Sequence, residues 1–493
     1  MNVLLIRSQE YASIEPLGLM YLAAYVRQRC ACKVRILDLC AKIGLYNPAQ
    51  EESLESVLRT ELDSHHPDLV GISSMFTLYS RSLHDIAKII KKIKRDVLII
   101  AGGAHASSFY EEVLEDANID AVVKGEGEAP LAEIVNSLKA KTDISLIRGL
   151  IIKKNGSIMK NEPSPFIKNL DTIPHPARNL VDMDVYLKDR YSCEHAMRSP
   201  RAGIASSRGC PFNCIYCAVH SVWERSYRAR GPENVADEIS YLINTYRVRE
   251  IAFWDDNMTY HKKRTIAICD EILRRKIDVR WCAPNGVGIM TLDKEMLVKM
   301  KKSGCYKLTF GIETGSTNTQ KFIRKEYIDF KKAKEIIRFC NKIGIWTHSS
   351  FIIGFPYETE DDIMKTIHYA MTSGLDMATF FVACPYPGTE LYDIYKKEGL
   401  FANLANEHGV GWHSSIDKPA YNTKYFTASQ LELYRDYATR RMFTHAALSF
   451  IHPFHVLPKV TGRDEIKYFA KMFSVYGERF IRMMARTLFT KKM

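Results

Sequence analysis

The sequence predicts an α/β protein. A doubly wound parallel sheet comes first, then a partial (β/α)6 barrel, then a helical C-terminal region. Three observations carry this. About the first 160 residues alternate short apolar runs with amphipathic stretches of helical period, the pattern of a parallel sheet covered on both faces. From Ala202 the alternation resumes for six more rounds, each apolar run ending in polar or glycine-rich residues. Between them Pro163, Pro165, Pro174, Pro176 and Pro200 space out a segment suited to an extended crossing. The expected divisions are 1–140, a bridge over 141–198, a barrel over 199–395 and a helical region over 396–493.

In the first part, Asn2–Arg7 reads as a strand and Leu17–Gln28 as a helix with one apolar face. Lys33–Asp38 is a second strand, Glu51–Leu62 a Glu-rich helix and Leu69–Ser74 a third strand. Leu83–Lys94 is helical, and Val97–Ala101 and Ala121–Lys124 are further strands. In open sheets of this Rossmann-like kind, ligands bind beyond the carboxyl ends of the strands. Those ends read Arg7-Ser8-Gln9, Ser73-Ser74-Met75, Gly102-Gly103-Ala104-His105 and Gly125-Glu126-Gly127-Glu128. Glycines there let a ligand approach the backbone closely. In the bridge, Ile151–Lys160 reads as a hairpin turning at Lys154-Asn155-Gly156.

The barrel strands are expected at Gly203–Ser207, Glu250–Trp254, Val279–Ala283, Lys307–Gly311, Trp346–Ile353 and Thr379–Ala383. Helices such as Val235–Tyr246 and Asp329–Lys342 lie between them. A barrel of this kind works at the carboxyl edge of its strands. That edge carries a cysteine triplet, Asp255-Asp256-Asn257, Asn285, Glu313, Ser350, Gly354-Phe355-Pro356 and Cys384. Asp255 and Asp256 suit either a ligand contact or a helix cap. Cys384 reads as a small buried hydrophobe.

Composition excludes several classes. Hydrophobic residues are 46% and charged residues 26% of 493, ordinary for a globular protein. No apolar run reaches the roughly 20 residues that a bilayer requires. The N-terminus runs straight into a strand pattern without a secretory leader, and twelve cysteines then read as reduced thiols and metal chemistry in a cytoplasmic, anaerobic setting. The net charge is +12, and Leu431–Met493 holds 12 Lys and Arg against 5 Asp and Glu. That tail suits a solvated helix face, with peripheral contact to an anionic surface as the sharper reading. Nothing points to a specific nucleic acid. His445, His452 and His455 interleave with Phe443, Phe450 and Phe454; this reads as an aromatic packing layer rather than a metal site. The C-terminal helices are expected to cover the barrel mouth.

The densest chemistry is Cys210-Pro-Phe-Asn-Cys214-Ile-Tyr-Cys217. Iron–sulfur clusters are normally held by four cysteines. Three this close can hold three irons of a cubane [4Fe-4S] cluster and leave the fourth open to a ligand. A structural zinc site would want a second Cys/His pair nearby. A closed electron-transfer cluster would want a fourth thiol from Cys193, Cys269 or Cys282. Glu313, a carboxylate at a strand end, can accept hydrogen bonds from an amine or a ribose.

The triplet, with Tyr216 just before its third cysteine, resembles the signature of the radical S-adenosylmethionine (SAM) superfamily. Gly311-Ile312-Glu313-Thr314-Gly315 resembles a later segment of the same family. The resemblance implies that the cluster binds and cleaves SAM, with Tyr216, Glu313 and Asp255 contacting it. Pro16-Leu17-Gly18-Leu19, Ala101-Gly102-Gly103-Ala104-His105 and Lys124-Gly125-Glu126-Gly127-Glu128 resemble the cobalamin-binding domain that precedes many such barrels. That implies cobalamin contacts from Ser73, Ser74, Gly102, Gly103, His105, Gly125, Glu126 and Gly127. The Asp-x-His-x-x-Gly motif that gives cobalt a histidine elsewhere is absent, and His84 fails its pattern, so no lower-face histidine is expected. Arg178-Asn179-Leu180 and Tyr186 resemble the family's connector.

The whole chain is similar to the cobalamin-dependent branch that includes methyltransferases and the anaerobic magnesium-protoporphyrin ester cyclase. The resemblance implies methyl transfer to an unactivated carbon or phosphorus of a small molecule or lipid, through a 5′-deoxyadenosyl radical and methylcobalamin. An electron donor such as flavodoxin or ferredoxin is implied. The alternatives are a radical oxidation, cyclisation or rearrangement without methyl transfer, and a non-enzymatic iron–sulfur protein.

Overall fold

The computed structural model describes residues 1–10, 14–154, 156–187, 196–401 and 421–474. The turn residue Asn155, the candidate thiol Cys193, the basic segment beyond 474 and the side chain of Phe454 lie outside the described residues. The chain divides into two compact units. The first is Met1–Tyr186 with Ala218–Ala229, and the remaining described residues form the second.

The first unit holds β1 (Asn2–Arg7), α1 (Leu17–Arg29), β2 (Lys33–Asp38), α2 (Glu51–His65), β3 (Leu69–Ser73), α3 (Ser80–Ile93), β4 (Leu98–Gly102), β5 (Ala121–Val123) and α4 (Glu128–Ala140). Strands β1 to β5 pair in parallel in the order β2-β1-β3-β4-β5. Alternate side chains of a strand face opposite sides. Leu4 and Ile6 accordingly join Val70, Ile72, Ile99 and Ala101 in a core with Leu54, Leu58 and Leu62 of α2 and Leu83, Ile86 and Ile90 of α3. The expected hairpin forms, as β6 (Leu150–Lys154) and β7 (Ser157–Lys160). Rather than standing apart in the bridge, it adds antiparallel to β5 and makes a seven-stranded mixed sheet. Arg7 lies opposite Asp38 and Ser73, and Ser73 opposite Gly102. Four strands therefore finish level, at one ligand-facing edge.

The second unit is the partial barrel. Its strands are β8 (Arg201–Ile204), β9 (Glu250–Phe253), β10 (Arg280–Val287), β11 (Cys305–Glu313), β12 (Trp346–Ile353) and β13 (Met377–Val382). All neighbours pair in parallel, in sequential order. The helices between them are α5 (Pro232–Tyr246), α6 (Lys262–Arg274), α7 (Lys294–Lys302), α8 (Phe330–Lys342) and α9 (Glu360–Thr372). Their starts are specified locally: Pro232 opens α5, Asp293 caps α7, Asp329 caps α8, and Thr359 with Asp362 forms a capping box on α9. Each cap satisfies amide N–H groups that the first helical turn leaves free.

Beyond β13 the chain meets the expectation of a covered mouth only in part. Helix α10 (Ala428–Ile451) begins at the carboxyl edge, where Leu431 lies against Gly354, and reaches the amino ends of the strands, where Phe450 meets Trp346 at 5.8 Å between ring centroids. The following residues stay at those amino ends. Arg280 bonds Glu465 and Arg198 bonds Asp464, each at 2.6 Å. Tyr468 packs edge-on against Tyr306 and Trp346. The described residues from Phe450 onward thus close the floor of the barrel, while Glu390–Lys397 and the start of α10 lie at the carboxyl edge, where the Leu391 N–H bonds the Ile215 carbonyl at 3.0 Å and the Lys424 N–H the Pro356 carbonyl at 3.1 Å. The physical reason lies at the floor itself. There Asp376 is buried and needs the Lys459 ammonium, and the rings of Tyr306 and Trp346 need apolar cover. The aromatic-layer reading of this region holds for Phe450, which joins that core. His455 instead hydrogen-bonds Asp376.

Candidate active site

The cysteine loop leaves the carboxyl end of β8 and is tied down by two acids from the end of β9. Asp255 accepts the Ser206 backbone N–H at 2.8 Å and the hydroxyls of Ser206 and Ser207 at 2.6 and 2.5 Å. Asp256 accepts the Gly209 N–H at 2.8 Å, one residue before Cys210. Neither caps the next helix, a task that falls to His261. Both oxygens of Asp255 are committed in this arrangement, so it bears on a ligand through the loop it holds. Burial pushes the Asp256 carboxyl up to about 6. Gly209 itself has φ +82°, a conformation that glycine adopts without strain. The Asn257 amide lies 4.0 Å from the Cys210 sulfur.

Cys210, Cys214 and Cys217 are free thiols, all half-buried on this one loop. The Phe212 N–H faces the Cys210 sulfur, and the Tyr216 and Tyr327 hydroxyls face Cys214. Among the described residues no group of three or more His, Cys, Asp or Glu is arranged to share a single metal ion. A cubane makes no such demand, because each thiolate takes a different iron. Donors aimed at the sulfurs suit the charge of a thiolate-bound cluster. Cys269 and Cys282 are fully buried in the barrel wall beside Cys305, which begins β11 at the amino end. They belong to the opposite end of the strands from the loop. Cys384 is buried, and its thiol is pushed up to about 12 by burial, as befits packing rather than reaction.

Glu313 ends β11 at a register shift against β12 and has φ +69°. Such irregularities re-aim a side chain. Its Oε1 accepts a hydrogen bond from the Lys325 ammonium at 3.1 Å, and Lys325 also donates to the Gly311 carbonyl at 2.8 Å. Burial alone would lower the Lys325 pKa, but Glu313 and Cys214 hold it up. The ammonium lies 5.8 Å from the centroid of the Tyr216 ring. Tyr216 faces Phe355 at 6.0 Å, and Phe212 stacks on Tyr327 at 4.6 Å. Glu358 fixes the turn that carries Phe355 by accepting the Gly354 N–H at 2.6 Å and the Phe355 N–H at 3.3 Å. Asn285 donates to the Trp254 carbonyl at 2.9 Å. The barrel edge thus brings together Tyr216, Glu313 and the cysteine loop. Lys325, Tyr327 and Glu358 went unnoticed in the sequence. Arg324-Lys325-Glu326-Tyr327 looks like a solvated charge run, and only the fold buries its second member.

In the first unit, Ser73, Ser74, Gly102, Gly103 and His105 gather at the level ends of β3 and β4. The His105 N–H donates to the Ser74 carbonyl at 3.2 Å. The Ser74 hydroxyl and His105 Nε2 are buried without a hydrogen-bond partner, which costs free energy unless a ligand supplies one. Gly103 has φ +95°, and a Cβ there would overlap the Ser74 carbonyl. This is a cradle with two waiting polar groups, and it fits a large polar-edged cofactor. Burial lowers His105 to about 4, so its ring is neutral near pH 7. Other expected contacts are engaged within the unit. Glu126 accepts the Ile167 N–H at 2.9 Å and pairs with Arg228 at 2.7 Å. A Cβ on Gly127 would press Leu22 at 3.0 Å. The His84 Nδ1 pairs with Asp116 at 2.8 Å. Gly103→Ala is expected to cost about 1–3 kcal/mol of strain at this backbone conformation and to empty the cradle. Bound corrinoid per chain after anaerobic reconstitution measures it.

A barrel carrying a three-cysteine loop, joined to an open sheet with a glycine cradle, defines the class. The family model for the Radical SAM superfamily matches residues 204–370, and that for the B12 binding domain matches residues 5–135. The chain is 33% identical to an uncharacterized methyltransferase of Pyrococcus horikoshii, over 91% of this chain and 89% of the relative. It is 28% identical to the cytidylyl-2-hydroxyethylphosphonate methyltransferase of Streptomyces wedmorensis, over 76% and 77% of the two chains. Its fold matches that of the radical S-adenosylmethionine methyltransferase TsrM from Kitasatospora setae, solved with cobalamin and a [4Fe-4S] cluster. The TM-score is 0.67, with 18% identity, over 80% of this chain and 75% of that one. The protein belongs to the radical SAM superfamily, in the branch with an N-terminal B12-binding domain.

Proposed function

We propose that this protein is a cobalamin-dependent radical SAM methyltransferase acting on an unactivated carbon or phosphorus of a small molecule. The observation that carries the reading is the pairing, in one chain, of the Cys210/Cys214/Cys217 loop beside Glu313 with the Ser74/Gly103/His105 cradle. When bound, the cluster with SAM supplies a hydrogen-abstracting radical and cobalamin a transferable methyl group. The chain's own residues bind and orient. Cys210, Cys214 and Cys217 would hold three irons, with Asp255 and Asp256 fixing their loop. Glu313 offers its free oxygen to the amine or ribose of SAM. Tyr216 offers its ring to the adenine, held in place by the buried Phe355. Ser74, Gly103 and neutral His105 would receive the corrin edge.

The test is product mass. Anaerobically reconstituted protein with SAM, a low-potential reductant such as reduced flavodoxin or ferredoxin, and candidate substrates should release 5′-deoxyadenosine and a product heavier by one CH2. A product that has lost hydrogens, or has unchanged mass, would instead make it a cyclase or a rearrangement enzyme. Cluster without SAM cleavage would leave an electron-transfer protein.

Among the described residues no helix is long and apolar enough to cross a membrane. We place the protein in an anaerobic cytoplasm, with the basic C-terminal segment as its peripheral contact to anionic lipid. Sedimentation with vesicles rich in anionic lipid, weakened by added salt, is the expected result. Recovery wholly in the supernatant would remove the lipid contact.

A further inference from the structure

Lys325 is 5% exposed and Glu313 8%. A lysine so buried normally shifts its pKa or finds a carboxylate. Lys325 finds one, and also caps the Gly311 carbonyl. These two bonds use two of its three N–H donors. The third has no acceptor among the described residues, and the charge lies within electrostatic reach of the Cys214 sulfur. On the other side of the pair, only Oε1 of Glu313 is taken. Oε2 has no hydrogen-bond partner among the described residues.

The backbone is built around this contact. Gly311 leaves the room: a Cβ there would stand 3.3 Å from Glu313 Oε1 and 3.4 Å from Lys325 Nζ. Arg324, immediately before Lys325, takes φ +60°, and the Lys325 N–H returns to the Gln320 carbonyl at 2.8 Å. Gln320 in turn holds the Ile328 carbonyl at 2.9 Å. The loop is thus tied on both sides of the lysine, and its buried end is aimed at Glu313.

We infer that Lys325 is the positioning residue of the barrel site: it pins one oxygen of Glu313 so that the other faces SAM, and it sets a desolvated positive charge beside the Cys214 iron. The inference rests on the proposed reading of this edge as the cluster and SAM site. It predicts two separable effects. Losing the pin weakens SAM binding, by about 10- to 100-fold if it behaves like other partners that orient a ligand residue. Losing the positive charge makes the cluster harder to reduce, because nearby charge sets cluster potential.

The test compares reconstituted wild type with Lys325→Met, Lys325→Arg and Glu313→Gln. Iron content, SAM affinity and the EPR-monitored midpoint potential are read for each. Lys325→Met should keep its iron, bind SAM 10- to 100-fold more weakly and shift the potential to lower values. Lys325→Arg should restore most of both. Glu313→Gln keeps the lysine and removes a negative charge, so it should also weaken SAM binding but shift the potential upward. Opposite potential shifts from the two sides of one pair are not expected of a packing defect. If Lys325→Met proves unstable, Lys325→Gln, which also removes the charge, reads the lysine side of the same potential comparison. Unchanged affinity and potential in Lys325→Met, or unchanged potential in Lys325→Gln should Lys325→Met not fold, would overturn the inference. A wild type that holds no cluster, or whose cluster signal ignores SAM, would instead overturn the underlying reading.

Discussion

Replacing Cys210, Cys214 and Cys217 together by alanine is expected to abolish cluster binding and reduce 5′-deoxyadenosine formation to background. The fold should survive, because the three thiols are half-buried on a loop that is fixed by other groups. Asp255 and Asp256 hold that loop through Ser206, Ser207 and Gly209, and none of these bonds involves a cysteine. Each single alanine variant should lose nearly as much as the triple, since residues that act as one unit are strongly non-additive. Iron and sulfide content, absorption near the thiolate-to-iron bands, and deoxyadenosine yield measure this. Retention of a full cluster in the triple variant would mean that other thiols hold it. Cobalamin uptake by the first unit should be unaffected in the same samples, which controls for misfolding.

The second large effect lies far from the chemistry, at the barrel floor. Asp376→Asn is expected to destabilise the second unit by about 3–5 kcal/mol, the usual cost of breaking a buried ion pair from one side. Asp376 is 1% exposed and receives Lys459 and His455, together with the Thr347 N–H at 2.7 Å and its hydroxyl at 2.9 Å. Asparagine can still accept from Thr347, but it leaves the Lys459 ammonium buried without its counter-charge. The pH dependence follows from the sign of the shift. Burial alone would raise Asp376, but Lys459 and His455 hold it below its ordinary 3.8, at about 2. A carboxylate held low stabilises the fold fully above its unfolded pKa, and that stability is lost as pH falls from about 4 toward 2. Wild type should therefore lose stability through that interval by a component that Asp376→Asn lacks. Denaturant midpoints at pH 7 and across the acid range check both statements. Equal midpoints for the two proteins at pH 7 would show that the pair contributes nothing net.

Much of the architecture could be read before any coordinates. The five parallel strands of the first sheet and the six of the barrel fall where the apolar runs lie, most within one or two residues. Longer differences, as at Arg280–Val287, extend a strand past polar residues that the pattern treated as its end. The hairpin at 150–160 was legible from its turn, but its attachment to β5 was not. A short strand carries no mark of the edge it will join. The C-terminal helices were legible as helices, but that the chain from Phe450 onward runs to the floor was not. That destination depends on the buried acid at Asp376, 79 and 83 positions from His455 and Lys459, and on the rings of Trp346 and Tyr306.

Features confined to a few consecutive residues are written in the chain itself. The Cys-x3-Cys-x2-Cys spacing, the strand and helix periods, the caps and the glycine-rich strand ends all depend on local geometry, so neighbours in the chain suffice to define them. Which polar groups are spent and which are open depends on the folded arrangement. It commits Asp255 to Ser206 and Ser207, 49 and 48 positions away, and Glu126 to Arg228, 102 positions away. It leaves Ser74 and His105 waiting in the cradle, and it buries Lys325 against Glu313. Burial and ion pairing are properties of side chains brought together from distant positions. They set the electrostatics of a site, and no window along the chain contains them.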